Sequence, residues 1–460
     1  MVCTGGKCRG SSPPEGPLHF SVLWPPVFES GQLSRPPRVL TTLPGREAPP
    51  DPEEWCDKSM QKPDPQGLTE ALAARFASPT RSTRLTVVLG RWLGVSFTVC
   101  FLTGLFSHGL QNPPSWMFFP TSPVWIYQLS QGLHVTAGIA SVPLLLAKLW
   151  SVYPELLKWP PVRSLVHGLE RASIALFIAA SLVQLTTGLI NTYKWYPWPF
   201  PFRETHYWMA WVIWGSLLLH IAVKLPAIIE HWRARPGSGP EVTFDHPAAT
   251  PGTALPAAAP DPGRWSRRAF LTAVGATTGA VVLTTAGQSF SWLGPLNLFA
   301  PRTMGTGPQS VPVNRTAAQA KVTDLAQSGD WTLTVTHHNT ARSFTLAALK
   351  ALPQYDQELP IACVEGWSQT ARWRGVRMRD LINAAGAPPD SAVRVTSLEP
   401  EGAYRLMSMP AEYVQDERTL VALELNGTVL DLDHGYPARI IAPGRPGVLQ
   451  TKWLHSVEAL

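Results

Sequence analysis

The chain has 460 residues, 38 Lys and Arg against 32 Asp and Glu, a formal net charge of +6, 19 Trp and only 15% charged residues. Its mean hydropathy of +0.01 averages two unlike parts, one of them carrying apolar stretches long enough to live in lipid. The basic residues are scattered beside those stretches and form no run interleaved with aromatics, which argues against nucleic acid as a partner, and five cysteines spread as Cys3, Cys8, Cys56, Cys100 and Cys363 give no disulfide framework.

Residues 1 to about 66 are rich in Pro, Gly and Ser, as in SSPPEGP and REAPPDPEEW, and lack apolar periodicity. Such a segment buries too little surface to offset chain entropy, so residues 1–83 are expected to be a disordered cytoplasmic tail. Cys3 and Cys8 lie in it without two further metal ligands.

Five apolar stretches follow, at about 86–107, 130–149, 171–190, 207–229 and 269–293, each near the ~20 residues that cross a ~30 Å hydrocarbon core as a helix. Arg75, Arg81 and Arg84 precede the first. Lys148, Lys158 and Arg163 separate the second from the third, and Lys224, Arg233, Arg235, Arg264, Arg267 and Arg268 follow the fourth. The alternate connections carry only Lys194 and Arg203, so the positive-inside rule places the N-terminus in the cytoplasm and everything after about 300 outside. The expected organisation is an all-α transmembrane four-helix bundle at 84–232, a flexible cytoplasmic Pro/Ala-rich linker at 233–265, a fifth transmembrane helix within 266–300 and an extracytoplasmic domain at 301–460.

The outer domain reads as α+β. WTLTVTH, AVRVTSL, VALELNG and YPARIIAP have the alternation or β-branched runs of strands, whereas TLAALKAL and MRDLINAAG have helical spacing, with Gly386 placed to end the second helix.

His206 and His220, in ETHYWMAWVIWGSLLLHIAVKL, stand nearly four helical turns apart, so both imidazoles leave one face separated by roughly 21 Å of rise. Ionisable groups at membrane depth are costly and usually functional, and imidazole is a common axial ligand of haem iron. His134, in QGLHVTAGIA, matches the depth of His206 and has small neighbours that leave room for a flat macrocycle. His167, in SLVHGLER, is the histidine at the level of His220. His108 is either another outer ligand or an interfacial residue, and Arg91 either meets a haem propionate or snorkels to the surface. Depth thus pairs His134 with His206 for an outer haem and His167 with His220 for an inner one. Over residues of about 84–232 this pattern resembles the di-haem cytochrome b561 and formate dehydrogenase gamma-subunit type, whose fourth helix carries two ligands at this spacing, which implies haem b and quinone or quinol as electron partner. That family usually takes its inner partner from the start of the first helix, where this sequence has no histidine.

Before the last stretch, Ser266, Arg267, Arg268, Ala269, Phe270 and Leu271 resemble a twin-arginine export signal, although paired arginines also flank ordinary spans. The twin-arginine and Sec machineries are then the expected export partners, the former because it moves domains already folded around a cofactor.

Cys363 is the one cysteine after Cys100, and an isolated thiol outside the cytoplasm is either buried and inert or bound to something. Its segment CVEGWSQTARWRG, with Cys363, Val364, Glu365, Gly366, Trp367, Ser368, Trp373 and Gly375, resembles the molybdenum-ligand segment of the sulfite oxidase superfamily, including the periplasmic protein-methionine-sulfoxide reductases. DHGYPARIIAPGRPGVLQTKWLHSVE resembles the same family's pterin-binding stretch. The resemblance, over about 311–460, implies Mo-molybdopterin with Cys363 as catalytic metal ligand and His434, Arg439, Gln450, Thr451 and Lys452 on the cofactor. Asn314, Arg315 and Ser397 are further candidates. The family's threonine after the cysteine has no clean equivalent here, and its C-terminal dimerisation domain is not expected.

Together these readings describe a bacterial cell-membrane oxidoreductase passing electrons between the quinone pool, haem b and an external Mo centre that transfers an oxygen atom, in the direction of S- or N-oxide reduction. Two rivals stay open: a non-enzymatic binding or assembly protein whose outer domain lacks its cofactor, and a b-type cytochrome fused to an unrelated soluble domain.

Overall fold

Among the described residues, five apolar helices carry the first part of the chain: α1 (Thr83–Gln111), α2 (Ile126–Leu156), α3 (Leu165–Thr192), α4 (Phe202–Arg233) and α5 (Arg267–Leu283). The computed structural model describes residues 80, 82–114, 116–117, 120–156, 162–233, 265–388 and 390–460. The expected tail with Cys3, Cys8 and Cys56, the linker, and Arg75, Arg81, Lys158, Arg235 and Arg264 lie outside the described residues. The Ser82 hydroxyl caps α1 by accepting from the Leu85 N–H, and Ser164 and Ser266 do the same for α3 and α5.

All five helices are long and apolar enough to cross a membrane, with candidate spans Arg84–Gln111, Ile126–Pro154, His167–Thr192, Phe202–Val223 and Arg267–Gln288. Most run a turn or so beyond the apolar stretches because polar residues continue each helix past its hydrocarbon-length core. The fifth differs. Its α-helix stops at Leu283, not near 293, and the chain turns through short 3-10 segments at Ala286–Gln288 and Ser291–Leu296. The Thr284 carbonyl accepts from the Leu298 and Phe299 N–H groups, and Gly287 packs so tightly against Leu293 that a Cβ would come within 2.5 Å of its carbonyl oxygen. That reversal converts an apolar run into a span followed by a tight hook.

Small hydroxyl residues let α1 and α2 approach: Thr86 Oγ1 donates to Ser151 Oγ at 3.1 Å, Ser141 Oγ to Ser96 Oγ at 2.9 Å, and Ser96 Oγ to the Ala137 carbonyl at 2.7 Å. α3 packs on α4, while α5 leans on α1 and α2 through Phe270, Leu271 and Val274 against Leu85, Leu89 and Ala147.

The C-terminal region mixes short helices with two sheets. Its strands are β1 (Thr332–His337), β2 (Thr340–Thr345), β3 (Tyr355–Ala362), β4 (Ser368–Arg377), β5 (Val393–Ser397), β6 (Leu406–Met409), β7 (Leu420–Leu425), β8 (Thr428–Val429), β9 (Arg439–Ile441) and β10 (Leu454–Ala459). One sheet runs β2-β1-β10-β5-β6, with β1 and β10 parallel. The other runs β3-β4-β7-β8, with β9 also paired to β7. Alternation explains the second sheet: along β4, Ala371 and Trp373 face inward while Arg372 and Arg374 face water and pair with Asp356. Val335, Val393, Val395, Leu454 and Val457 fill one core with Leu381 and Ile382 of a helix at Met378–Ala384, which is followed by Gly386 in the left-handed region, where the spacing expects a helix stop. A second core joins Leu359, Ile361, Trp367, Trp373, Leu420 and Ile441, and Cys363 belongs to it.

The α1–α2 connection straps this region to the helices. Arg418, held by Asp416, donates to Ser122 Oγ at 2.9 Å, and Val124 packs against the second core. β4 meets β7 through a bulge at Gly375, where a Cβ would sit 2.1 Å from the Val421 carbonyl oxygen. Gly375→Ala is therefore expected to cost about 2–4 kcal/mol by forcing the strands apart, and thermal melting of the detergent-purified chain should show the fall; an unchanged melting temperature would contradict the packing described.

Candidate cofactor site

Strand β3 ends at Ala362, and the next five residues form a tight hairpin turn into β4. The Cys363 N–H donates to the Trp367 carbonyl at 2.9 Å and the Gly366 N–H to the Cys363 carbonyl at 3.0 Å. Gly366 has φ +100°, a conformation that costs a side-chain-bearing residue energy, so glycine is what lets the chain close here. The turn presents Cys363 from a rigid strand end. The thiol is 1% exposed, and burial together with the nearby Glu365 pushes its pKa up, against the weaker pull of Lys194 and Lys452. Such a thiol is a poor free nucleophile, yet a bound metal ion deprotonates it outright.

Glu365 is 3% exposed, accepts from Trp367 Nε1 at 3.1 Å and lies 3.4 Å from Lys194 Nζ and 3.9 Å from Arg302 Nε. Burial raises its pKa, and the two cations oppose that rise. Lys194 follows α3, so a cation from the helical region reaches the cysteine turn. In the sequence, Lys194 stands out only as one of the few charges in its connection.

The second motif brings its residues to the same place by a different route. After a 3-10 turn at Leu432–His434, β9 carries Arg439 inward, and the segment after a 3-10 turn at Gly447–Leu449 carries Gln450, Thr451 and Lys452 beside it. Arg439 is 2% exposed; its guanidinium donates to the His434 carbonyl at 3.0 Å and the Gln450 carbonyl at 3.4 Å, and its Nε has no partner. Lys452 Nζ donates to the Asp433 carbonyl at 2.9 Å and to the Arg315 carbonyl. Burial lowers the Arg439 pKa to about 9 and holds that of Lys452 well below the usual lysine range, with Arg439 adding to the effect on Lys452. Two adjacent cations whose hydrogen bonds go to main-chain carbonyls favour an anion.

His434 is 2% exposed and its Nε2 lies 2.8 Å from the Pro308 carbonyl, which assigns the proton to that nitrogen. Asn314 and Arg315 line the cavity described below, and Arg315 pairs with the buried Glu399. Ser397 is placed differently. Its hydroxyl donates to the Lys452 carbonyl at 2.8 Å and accepts from the Glu399 N–H, so it fixes backbone behind the site. Gln450 Nε2 donates to the Arg445 carbonyl at 2.8 Å, leaving Gln450 Oε1 and Thr451 Oγ1 buried without partners.

A cavity of about 580 Å³ runs from these residues into the helices, lined at one end by Asn314, Arg315, Gln450, Thr451 and Lys452 and at the other by His134, His206 and Phe97. Val364 and Glu365 also line it, whereas Cys363 sits just behind them in the apolar core. The orphaned oxygens of Gln450 and Thr451 and the buried cations suit a ligand with a phosphate and many hydrogen-bonding edges, as a pyranopterin has. Among the described residues no three His, Cys, Asp or Glu side chains gather to hold a metal ion, so one thiolate suffices only for a metal that arrives with its other ligands.

In the helices, the His134 and His206 ring centroids lie 6.2 Å apart with planes at 70°. Two metal–imidazole bonds of about 2 Å plus about 1 Å from nitrogen to each ring centre give a similar span of roughly 6 Å. His134 Nδ1 is 2.9 Å from the Cys100 carbonyl, a bond that leaves Nε2 free to ligate. Gly104 lies against His134 and Gly188 against His206, the small neighbours a flat group requires. His108 instead stacks on Tyr207 at 3.8 Å. His167 Nδ1 accepts from the Arg163 N–H, and His220 stacks on Phe177; the contacts described for these two do not join them to each other. Sequence reasoning misses Lys194, Arg302 and Glu399 as site residues because each is recruited from a distant segment, although Glu365 stands within the cysteine motif itself.

Burial and the neighbouring Arg439 depress the His434 pKa to about 4. A histidine whose folded value lies below its unfolded value contributes stability that is complete above about pH 6.5 and lost as pH falls toward 4. The chain should lose up to about 3 kcal/mol from this group over that window, and the melting temperature of His434→Gln should depend less on pH there; parallel profiles for the two proteins would contradict the assignment.

Residues 319–460 match the family model described as "Oxidoreductase molybdopterin binding domain". Among curated proteins, the chain is 30% identical over 138 residues to mitochondrial sulfite oxidase of Drosophila melanogaster, a match covering 25% of this chain and 24% of that one. It is 26% identical over 203 residues to sulfite oxidase of Arabidopsis thaliana, covering 36% and 51%, and 32% identical over 111 residues to the "Uncharacterized oxidoreductase YuiH" of Bacillus subtilis (strain 168), covering 24% and 54%. The chain thus spans between about a quarter and about half of the length of these relatives. Residues 319–460, which contain Cys363, Arg439 and Lys452, thus match an oxidoreductase molybdopterin binding domain, and the similarity to sulfite oxidases supports a molybdopterin oxidoreductase of that superfamily.

Proposed function

We propose that the chain is a membrane-anchored oxidoreductase in which a haem b group held by the helices exchanges electrons between quinol and an extracytoplasmic molybdopterin centre that reduces a small S- or N-oxide. The observation that carries this reading is the cavity joining the His134–His206 pair to Val364 and Glu365 of the cysteine turn and to Gln450, Thr451 and Lys452. A pyranopterin-bound molybdenum, when present, supplies the two-electron oxygen-atom transfer, and haem supplies one-electron carriage.

The chain's own residues have distinct roles. Cys363 offers one soft anionic ligand from a fixed strand end. Arg439 and Lys452 neutralise the pterin phosphate, and Asn314, Gln450 and Thr451 meet its polar edges. His434 and Ser397 hold the backbone that positions Arg439 and Lys452. Glu365, on the cavity wall, pairs with Lys194 and Arg302 and accepts from Trp367 Nε1, so it ties the cysteine turn to a cation from the helices. Reduction of a sulfoxide consumes two electrons and two protons and releases the thioether and water.

Topology supports the external placement. The C-terminal end of α3 and the N-terminal ends of α2 and α4 meet the molybdopterin domain, whereas the basic residues Lys148, Arg163 and Arg267 belong to the opposite helix ends. His167 and His220 also belong to those far ends and are the proposed second haem site. The twin-arginine sequence at Arg267 and Arg268 fits export of a domain that folds around its cofactor first.

Metal analysis and reduced-minus-oxidised absorbance of the detergent-purified chain test the reading. The expected result is one molybdenum per chain and a b-type haem spectrum reduced by quinol and reoxidised by a sulfoxide or N-oxide. Protein from molybdenum-replete cells that contained none would sink it and favour the cofactor-free binding module. Cys363→Ser should reduce oxide-dependent turnover by at least about a hundredfold, the scale set by losing a group that contacts the reacting centre; full turnover in that variant would remove Cys363 as the ligand. His206→Ala should abolish the outer haem's absorbance while leaving molybdenum bound, and an unaltered haem spectrum would reject the His134–His206 assignment.

A further inference from the structure

One turn of α2 faces both ends of the cavity. Gln131 Nε2 donates to the Val364 carbonyl at 3.0 Å, gripping the peptide that follows Cys363. Val135 packs on Gly366 so closely that a Cβ there would lie 2.7 Å from a valine methyl. His134 sits between them in sequence and turns toward the helices, where its Nδ1 meets the Cys100 carbonyl and its ring faces His206. The hook after α5 closes the contact from the other side. Ser289 Oγ donates to the Gly366 carbonyl, and Ser368 Oγ donates to the Ser289 carbonyl at 3.1 Å.

Two unrelated demands thus converge on five residues. A buried glutamine amide directs a donor to a turn 233 positions away in sequence, and a valine fills the space that a left-handed glycine leaves open. Neither contact is needed for α2 to be a helix or for β3 and β4 to pair. Both fix where the cysteine turn lies relative to His134.

We propose that the outer turn of α2, Gln131 to Val135, is a positioning junction that holds the Cys363 turn against the His134 site, with Gln131 and Val135 as its contact residues. The inference rests on the proposed haem and molybdenum reading and adds the residues that keep the two centres in register. Through-protein electron transfer falls steeply with added gap, so loosening this contact slows exchange between the centres without removing either.

The test uses the full detergent-purified chain, loaded with its cofactors, as wild type, Gln131→Leu and Val135→Ala. Haem content, molybdenum content and haem midpoint potential are measured first, followed by hydrogen exchange of the Val364–Trp367 amides. Reoxidation of pre-reduced haem by dimethyl sulfoxide is then compared with oxide reduction driven by a soluble viologen that feeds the molybdenum directly. Both variants are expected to keep cofactor content and potential, to exchange the turn's amides at least tenfold faster, and to slow haem reoxidation at least tenfold while viologen-driven turnover changes less than twofold. Unchanged exchange and reoxidation in both variants would overturn the proposal. Equal loss of haem-linked and viologen-linked turnover would also overturn it, since that result means a generally damaged site. A wild-type chain lacking haem or molybdenum would instead fail the parent reading, and that is seen before any variant is compared.

Discussion

Arg439 and Lys452 lie side by side, each over a tryptophan ring and each donating to main-chain carbonyls, and the C-terminal region is arranged around that pair of cations. Dipoles compensate part of a buried charge, but a full anion does it better, and burial holds the pKa of both residues below its ordinary range. The main chain supplies the carbonyls they bond and the segments that carry them: the 3-10 turn at His434, strand β9, and the segment carrying Gln450. Even Ser397 serves by bonding the Lys452 carbonyl. A site built this way tolerates little movement, because shifting any carbonyl exposes a cation to a medium that does not solvate it.

The cysteine turn solves the complementary problem. A lone buried thiol without charge compensation stays protonated, and its surroundings raise its pKa. Under the proposed function, ligation by Cys363 and a cradle of Arg439 and Lys452 would be two halves of one requirement, a cofactor that carries both phosphate and metal. That mutual dependence is why the two sequence motifs have meaning together that neither has alone.

Much of this is legible from the residues in order. Apolar length marks the five helices, and alternation marks β1, β5, β7 and β9 because those strands bury one or both faces in the cores. Hydropathy overruns the end of the fifth span, since it does not register the Gly287 reversal. β3 and β4 escape the strand pattern because prolines, charges and the cysteine motif interrupt it. At the site, residues contiguous in a motif declare themselves, while Lys194, Arg302 and Glu399 do not, because pairing across about 60 to 170 positions leaves no periodic mark in a single sequence. Ser397 is identifiable as a position near the site, but its hydroxyl bonds the main chain and does not face the cavity. His134 and His206 come together across α2 and α4, as their positions along the helices suggest, whereas the contacts described for His167 and His220 are with Arg163 and Phe177.

The close fit of Val135 into the space over Gly366 reaches beyond this one fold. Helical and sheet-bearing parts of one chain would ordinarily drift independently in sequence, each answering to its own core. Here a size limit is shared across 231 positions, so a bulkier residue at either site demands a smaller one at the other, and position 366 has nothing smaller to offer. Grafting this C-terminal region onto a different set of helices would accordingly need a helix with matching girth at that one contact, whatever else the new host supplied.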